Sequence, residues 1–167
     1  QHRHSVLKDY QVQPGDFTFY PNTQGESIPS VAERMEVYRK EAPRLACKAV
    51  DACFTAKDLP DLSDITHLVT VSCTGMYAPG LDIDLVHRLG LTHQVKRTAV
   101  NFMGCYGAFN GLKLADSICQ ADNRAKVLVV SVELCTLHFR HSKREDDLLS
   151  AALFADGAAC VLGEGNT

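Results

Sequence analysis

The chain opens without a period. Its first thirty residues scatter Pro14, Gly15, Pro21, Gly25 and Pro29 among isolated apolar positions, which predicts an irregular covering segment over residues 1–29. At Ser30 the pattern changes. Ser30 and Glu33 spell a capping box, and Val31, Met35, Tyr38, Ala42, Leu45, Ala49 and Cys53 recur at helical spacing. A long amphipathic helix is expected there, kinked or split by Pro43. ITHLVTVSC (65–73) is a strand by its β-branched content, and the turn-rich TGMYAPG leads into a short amphipathic helix, LDIDLVHRLGL, with Gly90 as its natural stop.

KRTAVNFM is the next expected strand. Residues 105–121 place Ala108, Leu112, Ala115 and Cys119 on one helical face, while Gly107 and Gly111 permit another backbone to come close, so this helix should pack on something flat. AKVLVVSVEL is nearly continuous in apolar residues, as a strand covered on both faces would be. EDDLLSAALFADG and AACVLGE then repeat helix, turn and strand. The alternation predicts a layered α/β domain with a largely parallel or mixed sheet.

Composition narrows the function. A chain of 167 residues is long enough for one domain with a substantial core. Its net charge of −3 gives no general reason to bind nucleic acid or an anionic membrane; a polyanionic ligand would need a local basic patch. No apolar run approaches the about eighteen residues of a membrane span and QHRHSVLKDY has no apolar signal core, so a cytoplasmic protein without a membrane span is expected. The seven cysteines include no C-x-x-C pair and no compact Cys/His ligand set, which argues against a metal site or a disulfide framework. About five of the seven are expected as plain buried residues, since free cysteine packs as a small hydrophobe.

Cys105, in VNFMGCYGAFNG, stands where a strand hands over to a helix. Open α/β sheets bind ligands beyond the carboxyl ends of their strands, and the positive end of a helix favours the anionic, nucleophilic form of a thiol. Position alone leaves two readings open, a nucleophile and a packing cysteine. Two familiar motifs are excluded by spelling: a hydrolase elbow needs a glycine where Met103 stands, and Gly104, Gly107 and Gly111 have the wrong spacing for a dinucleotide loop.

Four blocks in order, ITHLVTVSCTGMYAPGLDIDL, VKRTAVNFMGCYGAFNG, AKVLVVSVELCTLHFR and ALFADGAACVLG, carry a more specific signal. From about residue 30 to its end the chain resembles the type III polyketide synthases, the chalcone-synthase-like branch of the thiolase superfamily. The resemblance implies a thiolase-like layered α/β/α half with a mixed, largely parallel sheet, residues 30–167 being the N-terminal thiolase-like domain. It makes Cys105 the acyl-carrying nucleophile of an acyltransferase. A starter acyl group passes from coenzyme A to the cysteine, malonyl-CoA is decarboxylated, the carbanion attacks the thioester, and the extended chain cyclises. Coenzyme A thioesters are the substrates, and no metal or redox cofactor is implied.

Residue by residue, Phe154 matches the family's gatekeeper phenylalanine, and Cys73, Thr74, Cys135, His138 and Ser150 match positions lining its starter and cyclisation pocket. His138 and Ala78 stand where plant members carry a smaller polar residue and a methionine that reaches across the dimer interface. Those departures point to a microbial-type enzyme that uses a fatty acyl or small acyl starter to make pyrones or resorcinols. His2, Arg3, His4 and Lys8 fall near the family's basic segment. The family is homodimeric, and its catalytic histidine and asparagine belong to a second, C-terminal half, so this chain alone is expected to be inactive. The alternatives are another condensing enzyme of the fold, a ketoacyl-ACP synthase III or hydroxymethylglutaryl-CoA synthase, whose alanine-cysteine pattern GCYGAFNG fits less well, and a non-catalytic acyl-binding scaffold, against which the intact cysteine and gatekeeper weigh.

Overall fold

Among the described residues four strands, β1 (His67–Ser72), β2 (Lys96–Asn101), β3 (Lys126–Leu134) and β4 (Asp156–Glu164), form one sheet in the order β2-β1-β3-β4. β1 runs parallel to both β2 and β3, and β4 lies antiparallel to β3 along its length, Lys126 opposite Glu164 and Leu134 opposite Asp156. The computed structural model describes residues 3–23, 25–55, 59–140, 142 and 144–165. Its helices are α1 (Val31–Cys53), α2 (Leu81–Leu89), α3 (Gly107–Ala121) and α4 (Glu145–Leu153), with 3₁₀ turns at Lys8–Gln11, Leu62–Asp64 and Cys135–His138. None of the described helices is long and apolar enough to cross a membrane.

The sheet is mixed and mostly parallel, with α1 and α2 on one face and α3 on the other. The unbroken apolar run of β3 resolves into two interleaved sets: Leu128, Val130, Val132 and Leu134 join the core under α1, while Val127 and Val129 join the core under α3. β1 divides likewise, Leu68 to one side and Val69 and Val71 to the other. Alternation on a pleated strand produces this split, and both sets are apolar because both faces carry helices.

α1 begins at the expected capping box: Glu33 N–H donates to Ser30 Oγ at 3.3 Å, and Ser30 N–H donates to the Glu33 carboxylate at 2.8 Å. Pro43 does not split the helix, which runs unbroken to Cys53. Ala42 and Ala46 on either side of it are fully buried, so packing on the sheet holds the helix together across the missing hydrogen bond. The buried line is Tyr38, Ala42, Ala46 and Val50, a strict four-residue row. The expected Leu45, Ala49 and Cys53 flank it half-buried, and Val31 is exposed, because the contact follows one inclined ridge of the helix. Farther along, α2 ends at Gly90, as expected.

The face of α3 also differs from expectation. Its buried residues are Gly107, Gly111 and Ala115, and Leu112 is exposed. The glycines are themselves the contact surface. A Cβ on Gly111 would lie 2.8 Å from Val71 Cγ2 and 3.3 Å from Val129 Cγ1, so the helix sits where only a residue without a side chain fits. Gly111→Ala is therefore expected to destabilise the fold by about 1 kcal/mol net, an overpacking cost of about 1–3 kcal/mol partly offset by about 1 kcal/mol of better helix propensity. Denaturant titration checks this, and Val71→Ala in the same chain should recover part of the loss through coupling of the two sites.

Candidate functional site

β1 and β2 end side by side, and the chain leaving β2 is folded back over them. Phe102 N–H donates to Ser72 O at 3.2 Å, Phe102 (φ 56°) and Gly104 (φ 79°) turn the backbone through the left-handed region, and Gly107 N–H donates to Gly104 O at 2.9 Å as α3 starts. Cys105 lies in that turn and is exposed. The turn is tied down by Cys73, just beyond β1. Gly104 N–H donates to Cys73 Sγ at 3.2 Å, and the thiol donates to Gly104 O at 3.4 Å.

Beside the turn lies a cavity of about 630 Å³. Cys73, Thr74, Cys105, Cys135, His138, Ser150 and Phe154 all border it, so every site residue expected from the sequence is brought to one place. Val71, Gly104, Ala108, Ser131 and Glu133 complete the wall on the side of the strands.

Glu133 was not expected. It is the sole acid in AKVLVVSVEL, and a charge inside a strand covered on both faces was the available signal. Its carboxylate accepts from Cys73 N–H at 2.8 and 3.0 Å and from Thr74 Oγ1 at 2.7 Å. Thr74 Oγ1 in turn accepts from Leu134 N–H at 2.8 Å. Opposite it, His138 Nε2 donates to Thr74 O at 2.6 Å. The His138 ring is thus engaged with backbone and ties the Cys135–His138 turn to the end of β1.

Cys135 is half-buried, and its thiol is pushed up to about 11, chiefly by burial, with the negative charges of Glu133 and Asp156 adding to it. At neutral pH it is a thiol. Ser150 O accepts from Phe154 N–H at 3.0 Å, closing the last turn of α4, and Phe154 stands half-exposed at the cavity. Ala78 is exposed and does not line the cavity. Of the basic residues, Arg3 donates to Ala151 O and Lys8 is exposed. His4 O accepts from Asp156 N–H, while His2 lies outside the described residues.

The expectation that most cysteines are buried fails. Six are half-buried and Cys105 is exposed. They sit where cover is incomplete: Cys53 closes α1, Cys119 lies in the last turn of α3, and Cys160 is on the edge strand β4. Among the described residues no cluster of three or more His, Cys, Asp or Glu side chains is placed to hold a metal ion.

The family model described as chalcone and stilbene synthases, N-terminal domain, matches residues 5–166. The chain belongs to that family. Type III polyketide synthase A of Arabidopsis thaliana is 37% identical over 145 residues, 86% of this chain and 36% of that protein. Probable polyketide synthase 1 of Dictyostelium discoideum is 38% identical over 159 residues, 94% of this chain and 5% of that much longer protein. The crystal structure of PKS-I from the brown alga Ectocarpus siliculosus superposes with a TM-score of 0.83 at 33% identity, over 96% of this chain and 42% of that one. The chain thus spans well under half the length of each. As a member of the chalcone and stilbene synthases it has the thiolase-like fold of those relatives, and the match takes in most of the irregular N-terminal segment as well as the layered part.

In this family member the Glu133 carboxylate holds the turn that holds Gly104. Glu133→Ala removes the acceptor for the Cys73 amide and the Thr74 hydroxyl, and should cost about 1.5–3 kcal/mol, the range for hydrogen bonds to a charged group. Hydrogen exchange at the Cys73 amide is expected to accelerate in that variant while amides in the middle of β3 keep their protection.

Proposed function

We propose that this chain is the nucleophile-bearing half of a type III polyketide synthase, and that Cys105 carries the growing acyl chain. The observation that supports this most directly is a single exposed thiol set on the glycine-turned entry of α3, bordering a cavity that also gathers Cys73, Thr74, Cys135, His138, Ser150 and Phe154. In the loading step the Cys105 thiolate attacks the carbonyl of an acyl-CoA, the bond from that carbonyl to the coenzyme sulfur breaks, and coenzyme A leaves as a thiolate that takes up a proton. Malonyl-CoA then loses CO₂. The resulting carbanion attacks the Cys105 thioester, a carbon–carbon bond forms, and the Cys105 thiolate is released. A thiolate serves well here because it is both a good nucleophile and a good leaving group, dividing one hard acyl transfer into two easier ones.

Phe154 is the gate between the entry path and the cavity, and the other five residues shape the space for starter and cyclisation. The family's histidine and asparagine, which stabilise the thioester oxyanion and the enolate, come from its C-terminal half, so this chain alone does not complete the reaction. Fatty acyl or small acyl starters and pyrone or resorcinol products fit the alanine at position 78, and the protein works in the cytoplasm.

The homodimer typical of the family is supported by β2. Among the described residues this strand has β1 on one side and an open edge on the other. Lys96 N–H and Phe102 N–H both donate toward β1, so with the two-residue period the amides of Arg97, Ala99 and Asn101 point outward, available to a second copy. Ala99→Pro removes an outward donor without touching the inner ladder and is expected to shift the protein from dimer to monomer in light scattering.

The decisive test uses the full-length protein and a panel of acyl-CoA thioesters, with intact-mass and peptide mass spectrometry. An acyl adduct should form on Cys105 and be absent in Cys105→Ala; equal labelling of that variant overturns the assignment. With iodoacetamide near neutral pH, Cys105 should react first as the exposed thiol, and Cys135 only in strongly alkaline solution, where its elevated pKa is passed.

A further inference from the structure

The irregular segment before α1 is usefully built. Asp9 is almost fully buried and accepts four hydrogen bonds, from Thr18 N–H at 2.8 Å, Thr18 Oγ1 at 3.0 Å, Phe19 N–H at 2.9 Å and Tyr20 N–H at 2.7 Å. Burial opposes ionisation of this carboxyl, and the donated hydrogen bonds outweigh it, holding the group below the usual carboxylate range. The loop from Asp9 to Tyr20 is therefore closed on an anion and loosens only in acid, as the pH falls through that depressed pKa.

Both ends of the closed loop are fastened to the wall of the cavity. At its start, Val6 N–H donates to Asp156 Oδ2 at 2.8 Å, and the same carboxylate takes Thr136 N–H at 2.8 Å and Thr136 Oγ1 at 2.7 Å. At its end, the Tyr20 hydroxyl donates to Thr136 O at 2.6 Å, and the Tyr20 ring meets Phe139 edge-on at 5.4 Å. Thr136 and Phe139 line the cavity. Between these fastenings, next to Asp9, the segment sends one side chain to the cavity, Tyr10. Among the described residues it is the sole lining group that comes from before β1.

We propose that Tyr10 is a specificity-determining residue for the length of acyl chain held on Cys105, and that Asp9 is the positioning residue that sets it. This rests on the reading of Cys105 given above. The remaining lining comes from β1 and β3 and the residues just beyond β1, the Cys105 turn and the start of α3, the stretch from Cys135 to Arg140, and α4 with Phe154 at its end. A large aromatic carried on a separate, cross-tied loop can change the depth of the cavity without disturbing the strands that hold the cysteine. Tyr10 is also 44% exposed, so replacing it leaves the core intact.

The experiment measures acylation rates of Cys105 by intact-protein mass spectrometry in the full-length protein, using straight-chain acyl-CoA thioesters from short to long. Tyr10→Ala should raise the long-to-short rate ratio about tenfold, the lower end of what an apolar pocket achieves per methylene, and Tyr10→Trp should lower it. Asp9→Asn, which cannot accept at its amide nitrogen, should move the ratio in the direction of Tyr10→Ala, a change that a purely structural aspartate would not produce. Unchanged ratios in the two Tyr10 variants, with the wild type still acylated, overturn the proposal. Failure of every thioester to acylate wild-type Cys105 overturns the reading of the nucleophile, and the proposal falls with it.

Discussion

The contact between the bare edge of α3 and Val71 decides where everything above it can be. A Cβ on Gly107 would stand 3.1 Å from Val71 Cγ1 and one on Gly111 2.8 Å from Val71 Cγ2, so a side chain at either position would press on Val71 and push the start of the helix away from the end of β1. The turn that carries Cys105 must then be short. It is made by two consecutive demands on the backbone, a left-handed Phe102 and a left-handed Gly104. The phenylalanine pays about 1–2 kcal/mol for a conformation that L-residues avoid. Packing of α3 on Val69, Val71 and Val129 offsets that cost, and the result is a thiol presented to solvent on a turn tied to Cys73 and to the start of α3.

A second constraint is electrostatic. Glu133 brings a carboxylate to the end of the most buried strand, where an unpaired charge would be costly. Its oxygens are instead filled by the Cys73 amide and the Thr74 hydroxyl, and His138 grips the carbonyl of the same threonine. The ends of β1 and β3 are thereby cross-linked, and Cys73 passes the restraint on to Gly104 through its sulfur. Packing fixes the cysteine from below, and a hydrogen-bonded anion fixes it from the side.

What the sequence disclosed follows from which interactions are local. The capping box of α1, the stop at Gly90 and the alternation of strands and helices depend on neighbours in the chain, and they were legible. The residues that border the cavity with Cys105 came from the resemblance of their blocks to a known family, since no local pattern links positions 73, 105, 135 and 154. The buried row of α1 and the exposure of Leu112 depend on the angle at which a helix crosses the sheet, which periodicity averages away. Gly107 and Gly111 permit a contact as far as the sequence goes, and in the fold they are the contact. The N-terminal segment shows no period because its order comes from Asp9 and Asp156, acids whose partners are mostly backbone amides and leave no pattern in the sequence.

The surface beside the cysteine shows how closely fold and site are coupled. Phe102, Met103, Tyr106, Phe109 and Leu112 are all exposed, and they follow one another along the exit of β2 and the first turns of α3. Contiguous apolar side chains of this kind mark surfaces that other protein covers. They flank Cys105 in sequence, and the outward amides of β2 lie just before them. Cover over this strip would therefore shield the exposed Cys105 thiol and the outward amides of β2 by one set of contacts.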